Sequence, residues 1–524
     1  MSFVYPRQEL RNLDRRSFIF GAASFAAAAL WSSRALGAVT RLPRFSAYPF
    51  QLGIASGDPA PDGFVIWTRL APDPLNDGGM TAESVEVSWQ VSEDEQMTRV
   101  VKKGTTVANA DWAHSVHVEV EGLKPDRWYW YQFKAGGEVS PKSRSRTLPP
   151  PGSLPDRLRF AAASCQHYSM GYYTAFDHMA REDLDLIVHL GDYIYEGGLK
   201  APGPRIHNGP EIKTLAEYRN RYALYKSDPA LQAAHVMAPW IVTWDDHEVS
   251  NNYAAAIAER EDVTVDQFLL RRAAGYQAFY EHQPLRRSAL PRGPDMLLYR
   301  DLSFGRLASF NVLDTRQYRT DQPCGDGTKP PCDAVMDPKA TILGERQRSW
   351  LFNNLERSSA AWNVLAQQVP VARIDYKAGP EVALSVDKWA GYEVERRRLL
   401  RHFRDRKTSN PVVLTGDVHT NWANELTTDF DQPDSKPVAT EFITTSLTSG
   451  GDGVDRRPNH DLIMSENPFV KYYNSQRGYL RCEITPETWR TDYRVVPYVE
   501  RPHAPITTPV SFIVESGRPV LNQA

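Results

Sequence analysis

The chain has no large excess of charge of either sign. Its 61 lysine and arginine residues nearly balance 64 aspartate and glutamate residues, so the net charge is −3 over 524 residues. Without a basic surplus there is no electrostatic reason to expect a nucleic acid as a stable partner, or an anionic membrane surface. The chain also lacks a second long apolar run after its first forty residues. This predicts no transmembrane anchor in the mature protein.

Cysteine is scarce, with four residues in the whole chain. Cys324 and Cys332 flank the loop PCGDGTKPPC, where an oxidising compartment favours a local disulfide, but the spacing alone leaves the pairing open. Cys482 lies in the alternating run GYLRCEIT and is interpreted as a buried structural thiol. Cys165 follows the strand-like run RLRFAAAS. At that position a thiolate metal ligand and a buried free thiol are both open interpretations.

Three common hydrolase motifs are missing from the sequence. There is no G-x-S-x-G elbow, no Walker A loop and no H-E-x-x-H helix. A covalent serine mechanism, a P-loop nucleotide site and a zincin-type zinc site therefore have no support.

The first residues are typical of an export signal. Asp14 to Ile19 form a twin-arginine pattern, Gly21 to Leu30 are apolar and alanine-rich, and small residues follow near Ala38. We interpret residues 1–38 as a twin-arginine signal peptide, with the twin-arginine export machinery as a partner and a periplasmic or secreted location. That route carries folded proteins, often with their cofactors inserted.

The remaining chain is long for one domain. Short alternating strands separated by turns, such as SVEVSWQVS and RWYWYQFKAGG, predict a β-sandwich over residues 48–147. Its segment from Gly122 to Tyr131 resembles the tyrosine corner of fibronectin-type and immunoglobulin-like folds. The proline-rich stretch TLPPPGSLP at 147–155 predicts a linker. Buried-strand patterns alternating with helical ones from residue 157 predict an α/β domain over residues 157–524.

Four apolar stretches of this second domain run directly into residues that bind metals. They end at SCQ (164–166), GDYIYE (191–196), WDDHE (244–248) and GDVH (416–419). Because the carboxyl ends of neighbouring strands in an open sheet meet at one crevice, these segments are expected to converge. Asp245 and Asp246 would repel each other if buried without a cation. The sequence therefore predicts a polynuclear metal site.

The order of these motifs, together with DTRQYR at 314–319, resembles the PhoD-type alkaline phosphatases, a branch of the calcineurin-like metallophosphoesterases. The resemblance extends to IASGDPAPDGFVIWTRL near the start, TSLTSGGDG at 445–453 and SFIVESGRP at 511–519. It covers nearly the whole mature chain. It implies an α/β (α+β) metallophosphoesterase sandwich of two sheets flanked by helices, preceded by the small fibronectin/Ig-like β-sandwich and ending in a C-terminal extension.

The resemblance also implies a centre of ferric iron (Fe3+) and calcium (Ca2+). Carried over position by position, the iron ligands are Cys165, Asp192, Tyr195 and His419. The calcium ligands are Asp192 as a bridge, Asp245, Asp246, Asp417 and one of Asn251 and Asn252, and the division between the metals stays open. His247 is a candidate for phosphate contact or proton transfer, and Arg316 is a candidate phosphate clamp. Oxygen ligands suit calcium, whereas thiolate with phenolate favours ferric iron.

The implied activity is hydrolysis of phosphomonoesters and of phosphodiesters by a hydroxide or oxygen activated at the metals. A phospholipase D-like phosphodiesterase is the alternative within the family, because the ligands are shared. Discrimination would depend on whether the 197–215 loop or the C-terminal segment 500–524 covers the cleft. A catalytically inactive secreted binding protein is the alternative from another class.

Overall fold

A computed structural model describes residues 39–198, 203–432 and 434–524. The predicted twin-arginine segment, residues 1–38, lies outside the described residues. The described part is a mixed α/β structure of several sheets and few helices, which confirms the predicted class. None of the described helices is long and apolar enough to cross a membrane.

The strands are numbered in chain order. They are β1 Val39–Thr40, β2 Ile54–Ala60, β3 Gly63–Arg69, β4 Ser84–Ser92, β5 Val100–Ala108, β6 Ser115–Val120, β7 Trp128–Ala135, β8 Glu138–Val139, β9 Ser143–Arg146, β10 Leu158–Ala163, β11 Leu186–Leu190, β12 Trp240–Thr243 and β13 Arg300–Phe304. They continue as β14 Ala308–Val312, β15 Thr328–Lys329, β16 Trp362–Ala366, β17 Leu384–Ser385, β18 Pro411–Thr415, β19 Asn421–Thr427, β20 Pro437–Ile443, β21 Val470–Asn474, β22 Arg477–Ile484, β23 Thr488–Val496, β24 Ser511–Glu515 and β25 Arg518–Gln523.

The described α-helices lie mainly between the strands of the second domain. They are α1 Thr174–Met179, α2 Leu215–Lys226, α3 Pro229–Met237, α4 Val265–His282, α5 Gly344–Arg357, α6 Glu393–Asp405 and α7 His460–Glu466. Capping boxes start α2 at Thr214 with Glu217 and α4 at Thr264 with Gln267. Such reciprocal bonds satisfy amide groups that the first helical turn leaves unpaired.

Two large sheets form the centre of the molecule. The ten-stranded sheet has the order β25-β24-β23-β22-β10-β11-β12-β2-β3-β6, and the seven-stranded sheet has the order β13-β14-β16-β18-β20-β19-β21. Strands β10, β11 and β12 are parallel in the first sheet, as are β14, β16, β18 and β20 in the second. Their residues are almost all buried, as expected for parallel strands covered on both faces.

An apolar core lies between the two large sheets. It includes Phe160 and Val188 from the ten-stranded sheet, and Phe310, Val364 and Leu414 from the seven-stranded sheet. Helices α1 to α4 cover the outer face of the first sheet, and α5 to α7 pack on the outer face of the second. This layering places the carboxyl ends of the central parallel strands of both sheets at one edge.

The N-terminal strands share a sheet with the strands that follow residue 157. The outer layer of the N-terminal region is a six-stranded sheet that contains β4 and β7, but its inner layer is β2, β3 and β6 of the ten-stranded sheet. The join is a parallel pairing of Gly57 with Trp240. The sheet is continuous because β2 pairs with β12, a strand far away in the sequence. The alternating hydrophobic pattern within each strand does not predict such a pairing.

Two local expectations from the sequence concern the tyrosine corner and the C-terminal segment. The Tyr129 hydroxyl donates to the Lys124 carbonyl at 3.2 Å and accepts from the Lys124 amide at 3.0 Å, which is the back-bond expected of a tyrosine corner. Residues 511–523 of the C-terminal segment form β24 and β25 at the edge of the ten-stranded sheet, and whether residues 500–524 cover the cleft stays an open prediction.

Cys324 and Cys332 form a disulfide, which settles the pairing that the sequence left open. Replacing both with serine is expected to lower the free energy of unfolding by about 2 to 3 kcal/mol, because the cross-link restricts the unfolded chain. Denaturant titration checks this value. Reduction of the wild-type protein is the matched control, and an unchanged midpoint in both experiments would contradict the prediction.

Candidate metal centre

The predicted ligands follow parallel strands of both sheets. Cys165 lies just after β10, Asp192 after β11, Asp245 after β12 and Asp417 after β18. A parallel bridge between Ser164 and Ser446 ties the end of the first sheet to the second. The expected convergence of strand ends therefore occurs, and it draws on two sheets rather than one.

Glycines let the strand ends approach each other closely. A Cβ atom at Gly191 would lie 2.5 Å from the Asp245 backbone nitrogen. A Cβ atom at Gly416 would lie 2.8 Å from the Ser164 side chain. The small residue before each aspartate is thus required by the neighbouring chain, so a larger side chain would push the ligand-bearing segments apart.

Five ligand candidates adopt a backbone conformation that residues other than glycine rarely take. The φ angles are 59° at Cys165, 57° at Asp192, 48° at Asn252, 68° at Asp417 and 58° at His419. Each such residue costs of order 1 kcal/mol or more, and such residues cluster at functional sites. The concentration of left-handed residues at this edge indicates a functional site.

The ligand atoms assemble into three overlapping groups. Within each group, one potential ligand atom per residue lies within 4.8 Å of the others. The groups are Cys165 with Asp192 and His419, Asp192 with Asp246 and His247, and Asp245 with Asp246 and Asp417. Asp192 and Asp246 each belong to two groups, so they connect the three groups into one cluster.

Tyr195 completes the first group. Its hydroxyl donates to Asp192 Oδ2 at 2.8 Å and lies 3.2 Å from His419 Nε2. Its ring lies between the imidazoles of His167 and His247, with centroid distances of 4.3 and 4.2 Å. The phenol oxygen therefore faces the same point as the thiol, carboxylate and imidazole of the group.

Burial shapes the ionisation of these ligands. Burial, followed by the Asp192 carboxylate, raises the pKa of Cys165 and of Tyr195 well above the usual ranges. Burial also raises the pKa of Asp192 to about 7. It lowers the pKa of His419 to about 3, with Arg477 adding to the effect. Without a cation the Cys165 thiol and the Tyr195 phenol would keep their protons at neutral pH, and a bound cation would favour their ionised forms.

Arg316 lies among the acidic ligands. Its Nε donates to Asp245 Oδ1 at 2.5 Å, and its two terminal nitrogens contact Asp387, Asp417 and Asp246 at 3.1, 3.4 and 3.7 Å. None of the side chain is exposed. In this arrangement the guanidinium neutralises the acidic cluster, and the contact of Arg316 with a substrate phosphate stays a prediction.

His247 pairs with an acidic side chain. Its Nδ1 lies 2.6 Å from Glu196 Oε2. Burial opposes the charged imidazolium, but Glu196, Asp246 and Asp192 outweigh it and raise the pKa of His247 well above its usual value. About a fifth of the side chain is exposed. His247 therefore lies at the edge of the site beside a carboxylate that favours its protonated form, and its part in phosphate contact or proton transfer stays a prediction.

The two asparagines occupy the rim of the acidic cluster. The Asn252 backbone amide donates to Asp246 Oδ2 at 2.7 Å, and its side chain donates to Asp326. The Asn251 side chain donates to Glu259 at 2.8 Å. Of these hydrogen bonds, the one from the Asn252 backbone amide reaches a grouped ligand, and the choice between the two side chains as a metal ligand stays a prediction.

Several residues of the site carried no assigned role in the sequence. Glu248 is buried and accepts backbone N–H bonds from Asp192 and Asp245 at 3.1 and 2.8 Å, so it holds two strand ends in register. Lys388 forms ion pairs with Asp417 and with Asp387. The WDDHE motif was a signal for Glu248, whereas the stretch before Trp389 has no pattern that indicates Lys388.

A buried carboxylate oxygen without a partner also indicates that these residues are suited to hold a cation. Asp245 Oδ2 is buried and has no hydrogen-bond partner in the described structure. Burial raises the pKa of Asp245 well above its usual value, although Arg316 opposes the shift. A buried carboxylate oxygen without a partner costs free energy, and a cation satisfies it.

Known protein families match this chain over most of its length. Residues 160–493 match the PhoD-like phosphatase family, and residues 37–149 match the N-terminal domain of PhoD-like phosphatases. The chain belongs to the PhoD-like phosphatase family. The resemblance inferred from the motifs is therefore confirmed. The PhoD-like phosphatase region spans every predicted ligand from Cys165 to His419.

Two relatives are similar over nearly their whole length. Alkaline phosphatase D of Bacillus subtilis (strain 168) is 52% identical over 514 residues, covering 96% of this chain and 88% of that protein. A solved structure described as the structure of PhoD is also 52% identical, with a TM-score of 0.90, and covers 92% of this chain and 93% of that one. The fold of this PhoD-like phosphatase is therefore that of the solved relative.

Proposed function

We propose that this chain is a metal-dependent phosphoesterase that hydrolyses phosphomonoesters, and phosphodiesters as well, at a centre of iron and calcium. Membership of the PhoD-like phosphatase family makes it a hydrolase of phosphoric esters. The observation that carries the proposal is the set of three overlapping groups of candidate ligands, which Asp192 and Asp246 connect into one cluster. Adjacent cation positions match the charge of a phosphate ester.

The two kinds of ligand suggest two kinds of metal. Cys165 and Tyr195 offer a thiolate and a phenolate beside His419, a donor set that favours ferric iron. Asp245, Asp246 and Asp417 offer carboxylate oxygens, and calcium prefers such cages. Asp192 lies between the two sets, and Asn252 is the proposed amide ligand.

Bound cations would supply electrostatic stabilisation of the negative charge on the phosphate oxygens. The chain's own residues then have separate tasks. Arg316 and Lys388 limit repulsion among the carboxylates, and Glu248 holds the Asp192 and Asp245 segments in place. Glu196 holds His247 at Nδ1, which leaves Nε2 to donate a proton to a phosphate or leaving-group oxygen.

We also propose the finer organisation of the chain. The proposal consists of a twin-arginine signal over residues 1–38 with export to the periplasm or medium, a fibronectin/Ig-like β-sandwich over 48–147 and a calcineurin-like two-sheet catalytic domain over 157–524. The twin-arginine pattern supports the first part. The back-bond of Tyr129 and the core between the six-stranded sheet and β2, β3 and β6 support the second. The apolar core between the two large sheets supports the third.

Purified protein is expected to hydrolyse p-nitrophenyl phosphate at alkaline pH and to lose this activity after chelation. Cation binding displaces protons from the Cys165 thiol and the Tyr195 phenol, whose pKa values are raised by burial, so loading improves as pH rises. Turnover is compared among p-nitrophenyl phosphate, its bis-ester and phosphatidylcholine, before and after restoring iron and calcium.

Each other outcome identifies a different alternative. Good turnover of only the bis-ester or of phosphatidylcholine would favour the phospholipase D-like phosphodiesterase. No turnover of any ester, together with no iron and no visible absorption, would favour a secreted binding protein.

A further inference from the structure

The segment TSLTSGGDG at 445–453 has no assigned function, yet it reaches the metal centre through Ser449. This serine is 1% exposed and follows β20 in the seven-stranded sheet. Its Oγ lies 2.7 Å from the Tyr195 hydroxyl oxygen. Among the described side chains of this segment, Ser449 is the one that forms a hydrogen bond with the Tyr195 phenol.

Two acceptors compete for the single proton of the Ser449 hydroxyl. One is the Tyr195 oxygen, and the other is the Cys165 carbonyl, also at 2.7 Å. The Cys165 carbonyl already accepts the backbone N–H groups of Thr448 and Ser449 at 3.4 and 3.3 Å. It is therefore not left without a partner when the Ser449 proton points elsewhere.

The charge state of Tyr195 decides the competition. As a neutral phenol, Tyr195 donates to Asp192. As a ligand it has lost that proton and carries negative charge, so it becomes the stronger acceptor of the two, because hydrogen bonds to charged groups are the stronger ones. The backbone amide of His167 donates to Ser449 Oγ at 3.2 Å, which fixes the serine oxygen in this place.

We propose that Ser449 is a positioning residue that donates a hydrogen bond to the Tyr195 phenolate and tunes the bond between Tyr195 and the metal. This inference rests on the proposed function, in which Tyr195 binds iron. A hydrogen bond withdraws electron density from the phenolate oxygen. Groups that support a ligand in this way adjust both its orientation and its donor strength.

The test is the visible absorption band of the iron-loaded full-length protein. Ser449→Ala is expected to move the band to longer wavelength, because a phenolate without the hydrogen bond gives up electron density to ferric iron more readily. Spectra are compared per bound iron, so a change in metal content does not alter the band position. A purely structural serine would leave the maximum unchanged at full occupancy.

Two further variants make the test specific. Thr448→Val removes a neighbouring buried hydroxyl that donates to the His167 carbonyl at 2.9 Å and not to Tyr195, so its band is expected to stay at the wild-type position. Ser449→Cys keeps a weaker donor, so a smaller shift in the same direction is expected. It also provides the measurement if Ser449→Ala does not fold.

The outcomes separate this inference from the proposed function. A wild-type protein with neither iron nor a visible band would overturn the iron assignment itself. A coloured wild type, with Ser449→Ala and Ser449→Cys bands unmoved, would overturn the role of Ser449 and leave the iron centre intact. A Thr448→Val shift equal to that of Ser449→Ala would also overturn it, since the effect would then come from the segment as a whole.

Discussion

Replacing Asp192 with asparagine is expected to lower kcat/KM for a phosphomonoester by about 10³-fold. Asp192 belongs to two of the three groups and connects Cys165 and His419 to the other carboxylates, so the loss of its charge is expected to weaken cation binding in the cluster. Cations contribute several kcal/mol of charge stabilisation, and about 4 kcal/mol corresponds to about 10³-fold in rate. Steady-state kinetics and elemental analysis of the same preparation measure the effect.

The same substitution is expected to stabilise the cation-free protein at pH 8. Burial raises the pKa of Asp192 in the folded chain to about 7, above its value of about 3.9 in an unfolded chain. Between these values the folded state holds the extra proton, so stability falls as pH rises and is lowest above pH 7. Asparagine carries no charge to bury. After chelation the variant should show the higher Tm, and with cations restored the wild type should.

Asp58→Asn is the matched control. Asp58 is also buried and has a φ of 43°, but it is paired with Arg300 at 2.6 Å and belongs to none of the ligand groups. Its substitution is expected to lower stability by breaking a buried ion pair, with kcat per folded molecule unchanged. Equal losses of activity in both variants would show that burial of an aspartate, rather than cation binding, is responsible.

Cys165→Ala is expected to lose bound iron, visible colour and activity together. The thiolate is the soft donor of the first ligand group. Even residues that only support a metal ligand contribute about 10- to 100-fold to metal affinity or activity, so the activity of Cys165→Ala is expected to fall by at least about 10²-fold. Alanine keeps the left-handed backbone no worse than cysteine does. The free energy of unfolding of the cation-free protein should therefore change little, by about 1 kcal/mol.

Cys482→Ala provides the comparison for this thiol. Cys482 is the other free buried cysteine, and its sulfur contacts Thr491 Oγ1 at 3.6 Å within the ten-stranded sheet. This variant should keep iron, colour and turnover. Full iron content in Cys165→Ala would contradict the assignment of Cys165 as a ligand.

Much of the site was predictable because strand ends have a local signature. An apolar run followed by a small residue and an aspartate marked Asp192 and Asp417 without any knowledge of the fold. The same reasoning found Cys165 and Asp245, and the structure brings all four to one edge. The class of fold was also predictable, since buried strands and helices have different periods, and the family was indicated by the resemblance of the motifs and their order.

Other parts of the site had no local signature. Nothing in the sequence indicated that Arg316 would be enclosed by four carboxylates, or that Lys388 would pair with Asp417. The left-handed conformation of Cys165 was also unpredictable, because that backbone is rare for any residue but glycine. The sharing of β2, β3 and β6 with the catalytic sheet depended on a pairing between Gly57 and Trp240, residues far apart in the chain.

The sequence by itself determined many of the secondary-structure elements, the candidate ligand residues and the chemistry that their side chains favour, because these depend on residue type and on patterns a few residues long. The tertiary structure alone decided which candidate ligands lie within reach of one another, which positively charged side chains pair with them and which side chain lies beside the Tyr195 hydroxyl. These depend on how two sheets pack, and a shift of a few ångströms between Ser164 and Ser446 would separate the groups without changing any local pattern.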